Sequence, residues 1–326
     1  MLPDAIHPAG PQAAAIAQLT WALVAMFVAV TLLVVVASAL ALWGGPRSRA
    51  WIGREGVVLA LGVALPVVVL TVLLVWGLVL TRELVPLRDP DALRLRVSGE
   101  QWWWRVTYLD GVPSGGRSFD RGSVDDVPSN DTPMQTANEI VIPTGRSIEV
   151  ELVSPDVIHS FWVPRLSGKT DAIPGIVNRL AFTATRVGVY RGYCAEYCGG
   201  PHAHMGLRVI AVAPERYARW RAAQARDAAT PRAPLARRGA RAFDRAGCGG
   251  CHAVRGTPAV AMFGPDLTHV GSRRLIGGGL LANTPRNRMR WIASPQHLKP
   301  GVHMPAFRQL PREDVEAIAA YLGALR

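Results

Sequence analysis

The stretch Tyr193-Cys194-Ala195-Glu196-Tyr197-Cys198-Gly199-Gly200-Pro201-His202-Ala203-His204-Met205 decides how the chain is read. Two thiols, an imidazole and a thioether fall within a single short loop, a soft donor set that favours copper. Cys194 and Cys198 lie close enough for both sulfurs to face one centre, and His202 and Met205 follow at short reach. One upstream histidine, His159 in Ser154-Pro155-Asp156-Val157-Ile158-His159-Ser160, is positioned to close the cluster from a neighbouring loop. His204 is expected at the polar rim. The competing reading of the two cysteines is a disulfide, which an extracytoplasmic compartment permits. The added His and Met at these spacings favour the metal.

Around this loop the pattern is one of short strands. Ile148, Val150 and Leu152 alternate with Ser147, Glu149 and Glu151, the period of a half-buried strand. Leu180 and Phe182, and then Leu207, Val209 and Ala211, repeat it. Turn clusters at Val112–Gly116 and Val127–Pro133 punctuate the runs, and the segment reads as a small β-sandwich or barrel. Upstream, Ala13–Trp43 and Val57–Leu80 carry no charged residue. Each exceeds the ~20 residues that a helix needs to cross a bilayer. Pro66 in the second run is tolerable where neighbours satisfy the freed backbone groups. No Lys or Arg precedes Arg47, so the basic start of a signal peptide is missing. Arg47, Arg49 and Arg54 between the runs place that loop in the cytoplasm by the positive-inside rule. The expectation is a two-pass hairpin that presents everything after Leu80 on the outer face. Arg82, Arg88, Arg94 and Arg96 follow the second run, but long domains translocate largely regardless of charge.

Downstream, Pro214–Thr230 reads as a basic surface helix that Pro231 and Pro234 end. Cys248-Gly249-Gly250-Cys251-His252 then matches the attachment motif of a c-type haem, with His252 as the proximal iron ligand. A zinc site would want a second Cys/His pair at finger spacing, and none follows. A thioredoxin-like dithiol would want a βαβ context, whereas the flanks look helical and loop-like. For the opposite side of the iron the candidates are Met262, Met289, Met304, His269, His297 and His303. The chain has 326 residues, 49% hydrophobic and 18% charged, which excludes wholesale disorder. Its net charge of +12 belongs to residues 214–326, where 19 Lys/Arg face 7 Asp/Glu. A nucleic-acid partner is not expected from that excess, because the domain faces outward and its motif binds haem.

The copper-type loop resembles that of the cytochrome c oxidase subunit II family, C-x-E-x-C-x-x-x-H-x-x-M. Similarity extends to the helical hairpin, Gln101-Trp102-Trp103-Trp104, residues Asp156–Pro164 and Lys169-Thr170-Asp171-Ala172-Ile173-Pro174-Gly175. The resemblance implies a cupredoxin-like Greek-key β-barrel holding a binuclear copper centre, CuA. Cys194 and Cys198 would bridge the two coppers. His159 and Met205 would complete one, and His202 with the Glu196 carbonyl the other. The Glu196 side chain would face a magnesium site shared with subunit I. Trp102 matches the aromatic residue through which electrons enter, while Trp103 and Trp104 are expected to be structural. Family members often carry a glutamate early in the second span; Glu55 lies about one turn further from Pro66, and its role stays open.

Val302-His303-Met304-Pro305-Ala306-Phe307 resembles the M-P-x-F loop of class I cytochromes c, which selects Met304 as the second axial ligand, with His303 as the local alternative. Gly264-Pro265-Asp266-Leu267 resembles a haem-edge loop of the same family. The expected organisation is a tail and hairpin over 1–92, a copper domain over 93–213, a basic helix and linker over 214–235, and an all-α cytochrome c domain over 236–326. The implied function is electron transfer in a bacterial inner membrane. Electrons would pass from a c-type cytochrome through the tethered haem and CuA to subunit I of an oxidase complex, where dioxygen is reduced. The alternatives are the CuA subunit of a nitric oxide reductase and a membrane-anchored copper-delivery protein. A quinol-oxidase subunit is disfavoured, because the copper ligands are all present.

Overall fold

A computed structural model describes residues 6–84, 89–109 and 134–326. The turn clusters at 112–116 and 127–133, and Arg88, lie outside these residues. Helix α1 (Pro11–Trp43) is followed by α2 (Pro46–Ile52), α3 (Glu55–Leu59), a π-helical turn (Ala60–Ala64) and α4 (Leu65–Leu84). The π turn precedes Pro66, which has no N–H to donate and disfavours regular helix just before it. Pro11–Trp43 and Glu55–Thr81 are long and apolar enough to cross a membrane, with windows of mean hydropathy 2.8 and 3.0 whose described residues are not buried.

Among the described residues, ten strands follow in two sheets: β1 (Leu93–Glu100), β2 (Trp103–Tyr108), β3 (Gln135–Ala137), β4 (Glu139–Pro143), β5 (Ser147–Val153), β6 (His159–Trp162), β7 (Thr170–Ala172), β8 (Asn178–Thr183), β9 (Gly188–Cys194) and β10 (Gly206–Val212). Their order is β3-β2-β1-β5-β8 in one sheet and β4-β10-β9-β6-β7 in the other. Parallel pairs β1·β5 and β4·β10 inside otherwise antiparallel sheets show that the chain changes sheets. One such crossing is the single residue Asn138 between β3 and β4. Its φ of 60° lies in the left-handed region that Asn tolerates. Its side-chain oxygen accepts from Trp104 N at 2.8 Å, and its own N–H donates to Trp104 O at 2.9 Å. The alternation read at 147–152 is borne out, with Ile148, Val150 and Leu152 turned inward. Trp104, Phe161, Phe182 and Leu95 are wholly buried between the sheets. Tyr108 ties strands of both sheets, its hydroxyl donating to Val141 O at 2.9 Å and accepting from Val141 N at 2.8 Å.

The start of α1 is fastened to this sandwich. Ala9 N donates to Arg165 O at 2.7 Å, and Thr185 N donates to Ala9 O at 2.9 Å. The N-terminal end of α1 therefore lies against the β domain. Helix α5 (Pro214–Gln224) packs Tyr217 and Trp220 against Tyr108. The C-terminal unit consists of α6 (Pro234–Arg245), a short hairpin of β11 (Leu275–Ile276) and β12 (Leu281–Ala282), α7 (Pro285–Ala293), α8 (Pro295–Leu298) and α9 (Arg312–Ala324). Helices α6 and α9 cross at Gly239, where an added Cβ would strike the Ala317 carbonyl. Phe243 and Tyr321 pack edge to face beside that crossing, 5.6 Å apart.

Candidate metal and haem centres

The end of β9, the loop after it and the first residue of β6 bring the expected copper ligands together. Pairing of Phe161 with Cys194 across β6 and β9 sets the register that carries His159 to the cysteine loop. Cys194 Sγ lies 3.8 Å from Cys198 Sγ, 3.9 Å from His159 Nδ1 and 3.2 Å from the Glu196 carbonyl oxygen. Cys198 Sγ lies 3.6 Å from His202 Nδ1 and 3.9 Å from Met205 Sδ. The sulfurs are too far apart for a disulfide, and all four cysteines of the chain are free. Every donor named from the sequence is therefore in one cluster. His159, Cys194, Cys198 and Met205 are buried, and His202 and Glu196 are half-buried. His204 is exposed, as a rim residue should be.

Asp156 organises one side of this cluster. Its Oδ1 lies 2.8 Å from His159 Nε2, which turns Nδ1 toward Cys194. Its Oδ2 accepts from Gln101 N at 2.7 Å. Burial opposes ionisation of Asp156, but the His159 hydrogen bond and two backbone N–H groups outweigh it and lower its pKa. Burial also works against a charged His159, yet the hydrogen bonds to Asp156 and Cys194 lift it to about 9. The two thiols share one proton. The hydrogen bond from Cys198 pulls Cys194 down to about 3, and the same contact raises Cys198. Such a set of soft donors, with one thiol made more acidic by its neighbours, fits copper.

Trp102 is 9% exposed. Its indole N–H donates to Cys198 O at 2.8 Å, and Gln101 Nε2 donates to the same oxygen at 2.9 Å. The other side of the ring meets His303, with centroids 5.4 Å apart. Trp104 is wholly buried and Trp103 lies under the Arg105 guanidinium, which agrees with structural roles.

A cavity of ≈ 510 Å³ opens in the C-terminal unit and is lined by Cys248, Cys251, His252, Met304 and, from the β domain, Trp102. His252 Nδ1 lies 2.8 Å from Pro265 O, which fixes the ring and leaves Nε2 for a metal. Burial, the largest influence, lowers the His252 pKa and so favours the neutral, ligating form. Of the six candidates for the opposite position, only Met304 and His303 line the cavity. His303 is engaged with Trp102, whereas His269 Nε2 is tied to Arg226 O at 3.0 Å. These residues fit a covalently attached haem.

Sequence reasoning missed Glu139 and Lys299. Both are buried, and both reach across between the two units. The one available signal was that Lys299 is one of only two lysines in the chain.

Comparison with known proteins agrees with this geometry. Residues 93–212 match the family model "Cytochrome C oxidase subunit II, periplasmic domain", and residues 236–326 match "Cytochrome c". Cytochrome c oxidase subunit 2 of Alkalihalophilus pseudofirmus is 37% identical over 245 residues, 73% of this chain and 65% of the relative. The corresponding protein of Bacillus subtilis is 27% identical over 280 residues, 80% of this chain and 72% of the relative. The chain thus spans about two thirds of the length of the curated relatives it matches. Among solved structures, the periplasmic domain of subunit II of cytochrome oxidase of Bradyrhizobium japonicum is 33% identical. It covers 43% of this chain and 96% of that one, with a TM-score of 0.33. The matched domains imply copper in the first and haem in the second, behind a membrane anchor of apolar helices. Residues 93–212 thus match a cytochrome c oxidase subunit II periplasmic domain, and residues 236–326, which follow it, match a cytochrome c domain.

Proposed function

We propose that this chain is the subunit through which electrons enter a respiratory haem-copper oxidase. It would pass them from a c-type cytochrome through its own haem c and a binuclear CuA centre to subunit I. The observation that carries this reading is a shared wall: Trp102 lines the haem-type cavity and bonds the carbonyl of Cys198 in the copper-type cluster. Bound at these sites, the copper pair and the haem would each supply a reversible one-electron couple. The chain's own residues do the rest. Cys194 and Cys198 are near enough to bridge two metals, and Asp156 holds His159 in one orientation. His159 and Met205 are assigned to one copper, and His202 and the Glu196 carbonyl to the other. The Glu196 side chain is the proposed magnesium contact at subunit I. Cys248 and Cys251 would attach the haem, and His252 and Met304 would hold its iron. Met/His ligation raises the potential of a haem.

Burial of the thiols and of His159 disfavours a copper-delivery role, which needs an exposed, exchangeable site. Fastening of Ala9 to Arg165 and Thr185 supports the two-pass topology with both domains on the outer face of the inner membrane. Metal analysis and optical spectra of the purified chain test the reading. Two coppers with a near-infrared CuA band and one c-type haem are expected, and a colourless Cu(I) protein would contradict it. Co-purification with subunit I, followed by assay of oxygen against nitric oxide consumption, tests the terminal acceptor.

A further inference from the structure

The haem domain meets the copper domain along a seam that contains a buried charge from each side. Lys299 follows α8 and is 1% exposed. Its Nζ donates to Trp102 O at 2.5 Å and to His204 O at 3.0 Å, both in the copper domain. Gly277 O of its own domain lies 3.4 Å away. Glu139, the first residue of β4, reaches the opposite way. Its Oε1 accepts from Arg274 N at 2.7 Å and Leu275 N at 2.9 Å. Between them Gly206 N donates to Gly278 O at 3.1 Å. Gly278 has φ +72°, and a Cβ there would strike the Lys299 ammonium and the Trp102 carbonyl. Arg105 Nη2 donates to Met262 O at 2.7 Å at the outer edge. The Trp102–His303 contact lies on the same seam, and His303 adjoins Met304.

Among the described residues no carboxylate lies within ion-pair distance of Lys299. Its partners are oriented backbone oxygens, and those of Glu139 are oriented backbone N–H groups. Arg273 and Arg274 also attract Glu139, whereas no carboxylate faces Lys299 among the described residues, and a charge so taken out of water is costly to place. Such a group is poor as a source of stability, but it accepts only one arrangement of the dipoles around it. Both charges stand beside elements that carry the relay: Lys299 holds the carbonyl of Trp102, and Glu139 follows the Asn138 crossing that bonds Trp104.

We propose that Lys299 and Glu139 are reciprocal positioning residues that lock the haem domain onto the copper domain with His303 against Trp102, so that internal electron transfer starts from one fixed pose. The idea rests on the relay reading above, for which it supplies the alignment of the two centres.

Hydrogen–deuterium exchange on the full-length, cofactor-loaded chain in detergent tests it. The variants are Lys299→Met, which keeps the stem and removes the ammonium, Glu139→Ala, and Glu139→Gln, which keeps an acceptor oxygen. In Lys299→Met and Glu139→Ala, exchange over 204–206 and 273–279 should rise roughly ten- to hundredfold, the worth of a hydrogen bond to a charged group. Helices α6 and α9 should keep their protection, and Glu139→Gln should stay near the parent. Flash-induced transfer from haem to copper should slow in the two loosened variants at unchanged copper and iron content. Unchanged seam exchange in both would overturn the proposal. So would an equal rise in α6 and α9, which marks a role in the haem domain's own fold, or an unchanged transfer rate across a loosened seam. A parent chain lacking copper or haem would instead defeat the relay reading, and exchange would still report on the lock.

Discussion

Cys198 serves two ends at once, one through its sulfur and one through its carbonyl. Its sulfur faces Cys194, His202 and Met205, and its carbonyl accepts from both Trp102 and Gln101. Replacing Cys198 by Ser should abolish the binuclear centre, because a hydroxyl does not bridge as a thiolate does. Metal analysis should find fewer than two coppers per chain. Met205→Leu should leave a copper site with a shifted potential, since a thioether is a weak, tuning ligand. Copper uptake by the metal-free chain should release protons. Cys194 is the more acidic thiol, while Cys198 and, below about pH 9, His159 hold protons that the metal must displace. Affinity should therefore rise steeply with pH up to about 9, where His159 stops contributing, and less steeply above it while Cys198 still gives up a proton. Calorimetric titration in buffers of different ionisation enthalpy would show it, and a pH-independent affinity would count against this ligand set. At the haem, Met304→Ala should lower the midpoint potential, whereas His303→Ala should leave the axial ligation spectrum intact. The reverse pattern would make His303 the ligand. These ligands were legible in the sequence because most of them sit in two short motifs, where spacing alone brings the donors together. His159 needed one more fact, the β6·β9 register, which only the folded sheet supplies.

Among the elements, the α6–α9 crossing depends on the missing side chain at Gly239. Gly239→Ala should drive the helices apart and destabilise the haem domain by about 1–3 kcal/mol, the usual penalty of overpacking. Denaturant unfolding followed at the haem would measure it. The strands were legible wherever one face is buried, as over 147–152. Strand β1 was harder to read, because Arg96 sits 7% exposed within it beside a Glu151 oxygen 2.9 Å away. In helix α5, Arg221 lies over the Tyr108 ring and donates to Met134 Sδ at 3.0 Å, so part of the basic excess packs on the β domain. The contact at Trp102 is made by Lys299 and His303.

Across the whole molecule, the β domain and the C-terminal domain pack along one seam rather than standing as two units on a string. Lys299 and Trp102 are 197 positions apart, and no periodicity or motif in a single sequence links residues so distant. That is why the seam was not legible, although both sites it joins were. Covering Trp102 leaves the haem domain as the surface open to an external donor. Transfer from that donor should fall steeply with salt, since exposed charges are screened beyond ~8 Å at physiological ionic strength. Internal transfer, held by buried groups, should barely respond. The central claim is that one chain carries an electron from its haem to its copper through the Trp102 seam. It is tested most directly by photoreducing the haem in the purified full-length chain and following haem oxidation and copper reduction together. The account predicts one shared rate constant that is independent of protein concentration, nearly independent of salt, and lowered in Trp102→Ala. A haem that stays reduced, or a copper signal whose rate scales with protein concentration, would contradict it.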